Sequence, residues 1–128
     1  LVIAFDCCKE YASSGKETKL MATPTRPKPT GKDPVKVDPK HYKVEYEDEK
    51  VRVLRINYGP HSKSVMHGHP ALIGVFLTDG NIRFTYPDGR KEDIKATAGQ
   101  VLHFDAFEHD PENLSDKPFE VIAVELKV

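Results

Sequence analysis

The stretch MHGHPALIGVFLTDG, residues 66–80, carries two histidines one residue apart, followed by an apolar run that closes in an Asp-Gly turn. Side chains alternate along a strand, so a His-x-His pair on a strand turns both imidazoles to the same face. Two neutral nitrogen donors are thereby offered to one metal ion. A common third ligand is a carboxylate a few residues on, but Pro70, Ala71, Leu72, Ile73, Gly74 and Val75 have no side chain that binds metal. Three readings remain: a metal site short of one ligand, a metal site of another kind, or no site.

Outward from this stretch, the chain from residue 41 onward reads as β. The segments HYKVEYE, KVRVLRINY, ALIGVFLT, NIRFTY, KEDIKA, QVLHFD and FEVIAVELKV are short and rich in Val, Ile, Phe and Tyr. Turn signals separate them, at Asp48-Glu49, Tyr58-Gly59-Pro60, Asp79-Gly80, Pro87-Asp88-Gly89, Ala98-Gly99 and Ser115-Asp116. In TYPDGRK the proline pre-sets φ and the glycine accepts positive φ, which predicts a hairpin. No segment of this half has a helical period with caps. Val51 and Val53 are out of phase with Leu54, Ile56 and Tyr58, which predicts a bulge or burial on both faces. With no helix to cover a parallel sheet, the expected fold is all-β and a single domain, an antiparallel β-barrel or jelly roll over residues 41–128.

Residues 1–40 differ. TPTRPKPTGKDP is rich in Pro, Lys and Thr and has little to bury, so 1–40 is expected to be a tail or linker. The apolar start LVIAF is five residues long and is interrupted by Asp6, short for a secretion signal, although a truncated signal peptide fits it too. A second reading makes residues 1–20 translated upstream sequence. Lys16-Glu17 can be encoded by AAG-GAG, a ribosome-binding sequence, a few codons before Met21, and other codons there would remove that argument.

Composition limits the function classes. At 128 residues the chain is one domain able to bury a core without disulfides. Net charge is −1 with both signs interspersed, which gives no nucleic-acid footprint. No apolar run approaches the roughly 20 residues of a membrane span. Cys7 and Cys8 are adjacent and no other cysteine exists, so residues 41–128 hold neither a thiolate metal site nor a thiol nucleophile. A cytoplasmic place is expected, or a secreted one if residues 1–20 are a signal remnant.

A third histidine completes a pattern. Residues 99–113, GQVLHFDAFEHDPEN, run from a glycine turn through an apolar strand to His109 and, four residues later, Asn113. With Gly59 to Gly80 as a first motif and Gly99 to Asn113 as a second, the chain resembles the cupin superfamily, and among its members the small single-domain proteins of uncharacterised function. The resemblance covers residues from about 42 to 128. Counted back from Gly80, the family's glutamate ligand falls at Ile73, or at Gly74 on the alternative spacing. The usual Pro and Gly of the second motif correspond to Asp105 and Phe107, and the interval to His109 is one residue shorter.

The resemblance implies that His67, His69 and His109 converge inside the barrel and hold one divalent transition metal. The candidates are Fe, Zn, Mn, Ni and Cu; imidazole suits Zn, Cu, Fe and Ni alike, and iron is the first choice because three-histidine cupins with Fe(II) include thiol dioxygenases and a β-diketone-cleaving dioxygenase. Without the glutamate the dication keeps its full charge, which favours anionic substrates. A dioxygenase-like oxidoreductase on a small organic molecule is the lead reading. A non-catalytic metal- or ligand-binding cupin is the alternative, and a metal-dependent isomerase or lyase the third. Small cupins commonly pair through edge strands, so a homodimer is expected, with a small-molecule substrate and neither nucleic acid nor membrane as partner.

Other residues carry weaker expectations. His103 shares parity with Val101 and Asp105 and is a candidate for the cavity mouth, though such a residue more often faces solvent. His61 lies on the approach loop, and His41 is expected as a solvated strand-edge residue. Glu108 is a candidate to orient an imidazole, and Asp105, Glu108 or Glu112 could stand in for the absent carboxylate. Ile73, Phe104 and Phe107 are candidate pocket wall. Asn113-Leu-Ser115 matches a glycosylation acceptor, but Asn113 also ends the second motif, and the structural role is preferred.

Overall fold

The structure, a computed structural model, describes residues 31–127. The expectations for residues 1–30, a signal remnant or translated upstream sequence included, lie outside the described residues. Among the described residues one short helix, α1 (Pro34–Val37), precedes nine strands: β1 (Tyr42–Glu47), β2 (Val51–Tyr58), β3 (His67–His69), β4 (Leu72–Phe76), β5 (Gly80–Thr85), β6 (Lys91–Ala96), β7 (Val101–Phe104), β8 (Phe107–Asn113) and β9 (Phe119–Leu126). All pairings between them are antiparallel. The fold is an all-β jelly roll of two sheets, ordered β1-β2-β9-β4-β7 and β3-β8-β5-β6. The chain changes sheet after most strands, so residues distant in sequence meet on facing inner surfaces.

Period-two burial builds the core. Along β9 the residues Phe119, Val121 and Ala123 point inward and Glu120, Ile122 and Val124 point away. Leu54, Ile56 and Tyr58 of β2 join them, and Ile82 and Phe84 of β5 close the core from the second sheet. Strand β2 does not slip: its register against β9 runs unbroken from Val51 to Tyr58. The irregularity predicted from its two apolar phases lies across from it, between Val44 and Tyr46 of β1, while Val51 and Val53 sit half-buried on the outer face. The expected hairpin is present, with Gly89 at φ 89° and its N–H donating to the Tyr86 carbonyl at 2.8 Å.

Two expectations need correction. Residues 31–40 are part of the folded body rather than of a linker. Asp33 caps α1 by accepting from the Val35 N–H at 3.0 Å and grips Arg52 of β2 through both carboxylate oxygens, at 3.0 and 3.1 Å. The Lys32 carbonyl also accepts from the Gly68 N–H at 2.8 Å, between the paired histidines. The second correction concerns FEHDPEN, which no turn-bounded apolar run announced. It is strand β8, and Pro111 lies inside it opposite Phe84. Proline donates no ladder bond, which argues against a strand in sequence, yet the Pro111 carbonyl still accepts from the Ser64 N–H at 2.9 Å.

Candidate metal centre

Strands β3 and β8 pair with His67 opposite His109 and His69 opposite Phe107. Residues directly opposite share a face, so one strand supplies two imidazoles and its neighbour the third. Candidate donor atoms of His67, His69 and His109 all lie within 4.8 Å of one another, and all three residues are buried. The ring centroids are 4.8 to 5.2 Å apart, with rings nearly perpendicular.

The free ring nitrogens follow from what holds the others. His67 Nδ1 donates to the Val65 carbonyl at 2.7 Å, which leaves Nε2 as its donor to a metal. His69 Nδ1 lies 2.7 Å from Glu125 Oε2, which likewise turns Nε2 free. Neither nitrogen of His109 has a partner, nor does His67 Nε2, although all three atoms are buried. Leaving one such group unsatisfied costs about 1–3 kcal/mol. A metal ion would satisfy His67 Nε2 and one nitrogen of His109 together, and neutral nitrogen donors are what it needs. Burial, reinforced by the neighbouring His69, lowers His67 to about 4. Burial drives His109 well below the ordinary histidine value, with His69 and His67 adding to the effect. Both rings are therefore neutral donors at pH 7.

Glu125 is the residue that sequence reasoning missed. Its side chain is 2% exposed, with one carboxylate oxygen on His69 and the other accepting from Arg52 Nε at 2.8 Å. Burial raises its pKa, but the bonds from His69 and Arg52 outweigh burial and hold the carboxyl below its usual value. A signal was available. Glu125 continues the inward stripe Phe119, Val121, Ala123, and Arg52 continues Leu54, Ile56, Tyr58, so two charges occupy core parity. They are direct cross-strand partners.

His69 and His109 open on a small apolar cavity of about 60 Å³. Its wall includes Tyr42, Leu72, Gly74, Phe84, Phe104 and Phe107. Phe107 packs on both His69 and His109, with centroids 5.5 and 4.4 Å away. The Tyr42 and Tyr58 hydroxyls share a hydrogen bond of 2.6 Å, and burial pushes the Tyr42 phenol well above its ordinary value.

The other candidate residues are placed elsewhere. Ile73 is half-buried on the outer face of β4, and the inward position at the missing carboxylate is Gly74. His103 faces outward opposite Ile73 and is 57% exposed, because Leu102 and Phe104 take the inward parity of β7. His61 is 61% exposed and bound to Asp116 at 2.6 Å. Glu108 lies back to back with His109 on β8 and packs over Gly31, whose φ of 88° and missing Cβ admit its carboxylate. Asp105 is exposed, and Glu112 shares the half-buried outer parity of β8. Asn113 is buried away from the cavity. Its Nδ2 donates to the Gly59 and Lys117 carbonyls at 2.9 and 2.8 Å, and its Oδ1 accepts from the Ser115 N–H at 2.9 Å, so it pins two loops. His41, expected in solvent, is buried.

The profile of the cupin domain family matches residues 54–125, more than half of the chain. The chain belongs to the cupin family. In structure this cupin is similar to a cupin domain from Bordetella pertussis Tohama I, at 25% identity and a TM-score of 0.63, over 68% of this chain and 92% of that one. It also resembles a protein with a double-stranded β-helix domain from Klebsiella pneumoniae, at 18% identity and a TM-score of 0.52, over 85% and 90% of the two chains. A third is a cupin superfamily protein from Desulfitobacterium hafniense DCB-2, at 12% identity and a TM-score of 0.51, over 66% and 74%. The last two likenesses concern the fold alone. A search of the curated proteins finds no match. Among the described residues no helix is long and apolar enough to cross a membrane.

Proposed function

We propose that this cupin is a metal-dependent oxidoreductase of the dioxygenase kind, acting on a small organic anion such as the enolate of a β-dicarbonyl or a thiolate. The observation that carries the reading is the set of buried, unpartnered nitrogens on His67 and His109 beside His69. Nε2 of His67, Nε2 of His69 and one nitrogen of His109 would hold the ion. A bound divalent transition metal supplies Lewis acidity and, if it is iron, one-electron redox chemistry.

The chain's own residues do the rest. The Val65 carbonyl and Glu125 keep protons on Nδ1 of His67 and His69 and so leave Nε2 of each to the ion. Three neutral ligands leave the ion's charge uncompensated, which selects an anionic group. Phe84, Phe104 and Phe107 exclude water from the reacting end. A cavity of about 60 Å³ admits a few heavy atoms, which supports a short-chain substrate.

The test is metal analysis of the purified protein, then oxygen uptake on a panel of β-dicarbonyls and thiols. One iron per chain and uptake that depends on His109 are expected. Stoichiometric metal without turnover of any panel member would favour a binding cupin or a non-oxidative isomerase or lyase. Failure to take up any divalent metal on reconstitution would sink the site.

A further inference from the structure

A second constellation lies outside the metal centre, where α1 and the start of β1 meet the loop between β2 and β3. His41 Nδ1 lies 2.7 Å from Asp38 Oδ2, and His41 Nε2 lies 2.6 Å from Ser62 Oγ. Asp38 and His41 are buried and Ser62 is half-buried. Asp38 also accepts a hydrogen bond from Ser64 Oγ. An ionised carboxylate only accepts, so it fixes the proton on His41 Nδ1 and leaves Nε2 to accept from the Ser62 hydroxyl. The imidazole cannot swing away, because its ring stacks on Tyr58 at 4.1 Å and 9°.

We propose that Ser62, His41 and Asp38 form a second reactive site, with Ser62 Oγ a nucleophile toward small esters, His41 its general base and Asp38 the group that orients His41. Such constellations are recognised by geometry and roles rather than by chain order. Three further observations point the same way. The Lys63 N–H, one residue after Ser62, donates to no protein group among the described residues, because the bridge from Lys63 to Glu112 is made by its neighbours Ser64 N–H and Ser62 carbonyl. A backbone N–H at that place can stabilise an oxyanion. His61, just before Ser62, has φ 57°, in the left-handed region that non-glycine residues seldom adopt. A surface groove of about 380 Å³ borders the triad at Asp38 and passes Lys63, the residue after Ser62, although neither Ser62 nor His41 lines it.

The step balances without any redox partner. Ser62 Oγ bonds to the acyl carbon as its proton passes to His41 Nε2. The C–O bond to the alcohol breaks, and the departing oxygen takes that proton. Water then attacks the acyl-serine, giving its proton to His41, and the carboxylic acid leaves as Ser62 is restored.

The test treats the full chain, with chelator present, with a fluorophosphonate and separately with 4-nitrophenyl acetate. A single phosphonate adduct mapping to Ser62, in preference to Ser64 and Ser115 of the same molecule, is expected. Ser62→Ala should lose the adduct and return ester cleavage to the buffer rate. His41→Gln should slow labelling at least about a hundredfold. A structural role alone, with these side chains only pinning α1 to the loop, moves none of these readouts. No adduct at Ser62 in the unaltered protein, or His41→Gln labelling at the parent rate, overturns the proposal. Should His41→Gln not fold, selectivity for Ser62 in the unaltered chain decides alone. The chelator separates this outcome from any failure of the metal centre.

Discussion

Glu125→Gln tests in one substitution whether the same carboxylate serves both the core and the metal centre. The change keeps the side chain's volume and removes its charge and one acceptor. In the parent, Oε1 accepts from Arg52 Nε at 2.8 Å and Oε2 from His69 Nδ1 at 2.7 Å. A glutamine offers one carbonyl oxygen, so its amide NH₂ faces either Arg52, donor against donor, or His69, whose ring must then move its proton to Nε2, the nitrogen that would hold the metal. Removing one partner of a buried ion pair costs about 3–5 kcal/mol. Arg52 is 15% exposed and keeps Asp33, which places the expected loss near about 3 kcal/mol at the low end of that range. Losing the anchor of a metal-binding imidazole typically costs about 10–100-fold in affinity, or roughly 1.4–2.8 kcal/mol. Urea unfolding in chelator reads the first effect. Competition against a chromophoric chelator, with zinc as the probe, reads the second. Stability lost with affinity unchanged within about twofold would mean that Glu125 serves Arg52 alone, and both unchanged would refute the reasoning entirely.

Three other outcomes are expected. His109→Ala should abolish stoichiometric metal retention while leaving the far-ultraviolet β signature in place, and retained metal would exclude His109 as an essential ligand. Metal-free protein should lose stability as pH falls from 6.5 to about 4: His67 stays neutral in the fold down to about 4 but takes up a proton near 6.5 when unfolded. At about 1.4 kcal/mol per unit this amounts to about 3 kcal/mol from His67. His109 acts in the same direction. The Glu125 carboxyl, held below 4.5, adds a loss at still lower pH. Urea midpoints that stay level across this range would contradict the burial of neutral rings. Asp33→Ala removes both the α1 cap and the fork to Arg52 and should cost about 1–2 kcal/mol, read as a lower melting temperature. An unchanged melting temperature would take residues 31–40 out of the cooperative unit.

How far the sequence could be read depended on the range of each signal. Strands β2, β4, β5 and β9 announced themselves through local alternation and turn residues, which are properties of a few neighbours. Strand β8 did not, because Pro111 and three acids hide its alternation, and only pairing to β3 and β5 makes FEHDPEN a strand. Residues 31–40 look like linker by composition, and their order comes from Arg52, Gly68 and Glu108. His103 and Ile73 had the right neighbourhood but the wrong parity, and parity becomes inward or outward only once the sheets face each other.

By itself, then, the sequence determined the all-β class, since period and turns are written along the chain, and its resemblance to the cupin motifs implied the jelly roll and the trio His67, His69 and His109. Tertiary structure alone decided which nitrogens are free, that Gly74 rather than Ile73 looks into the cavity, and that Glu125, 56 residues after His69, orients its ring. The physical reason is cross-strand register. It brings partners together across tens of residues, and no local pattern encodes which side chain will stand opposite another.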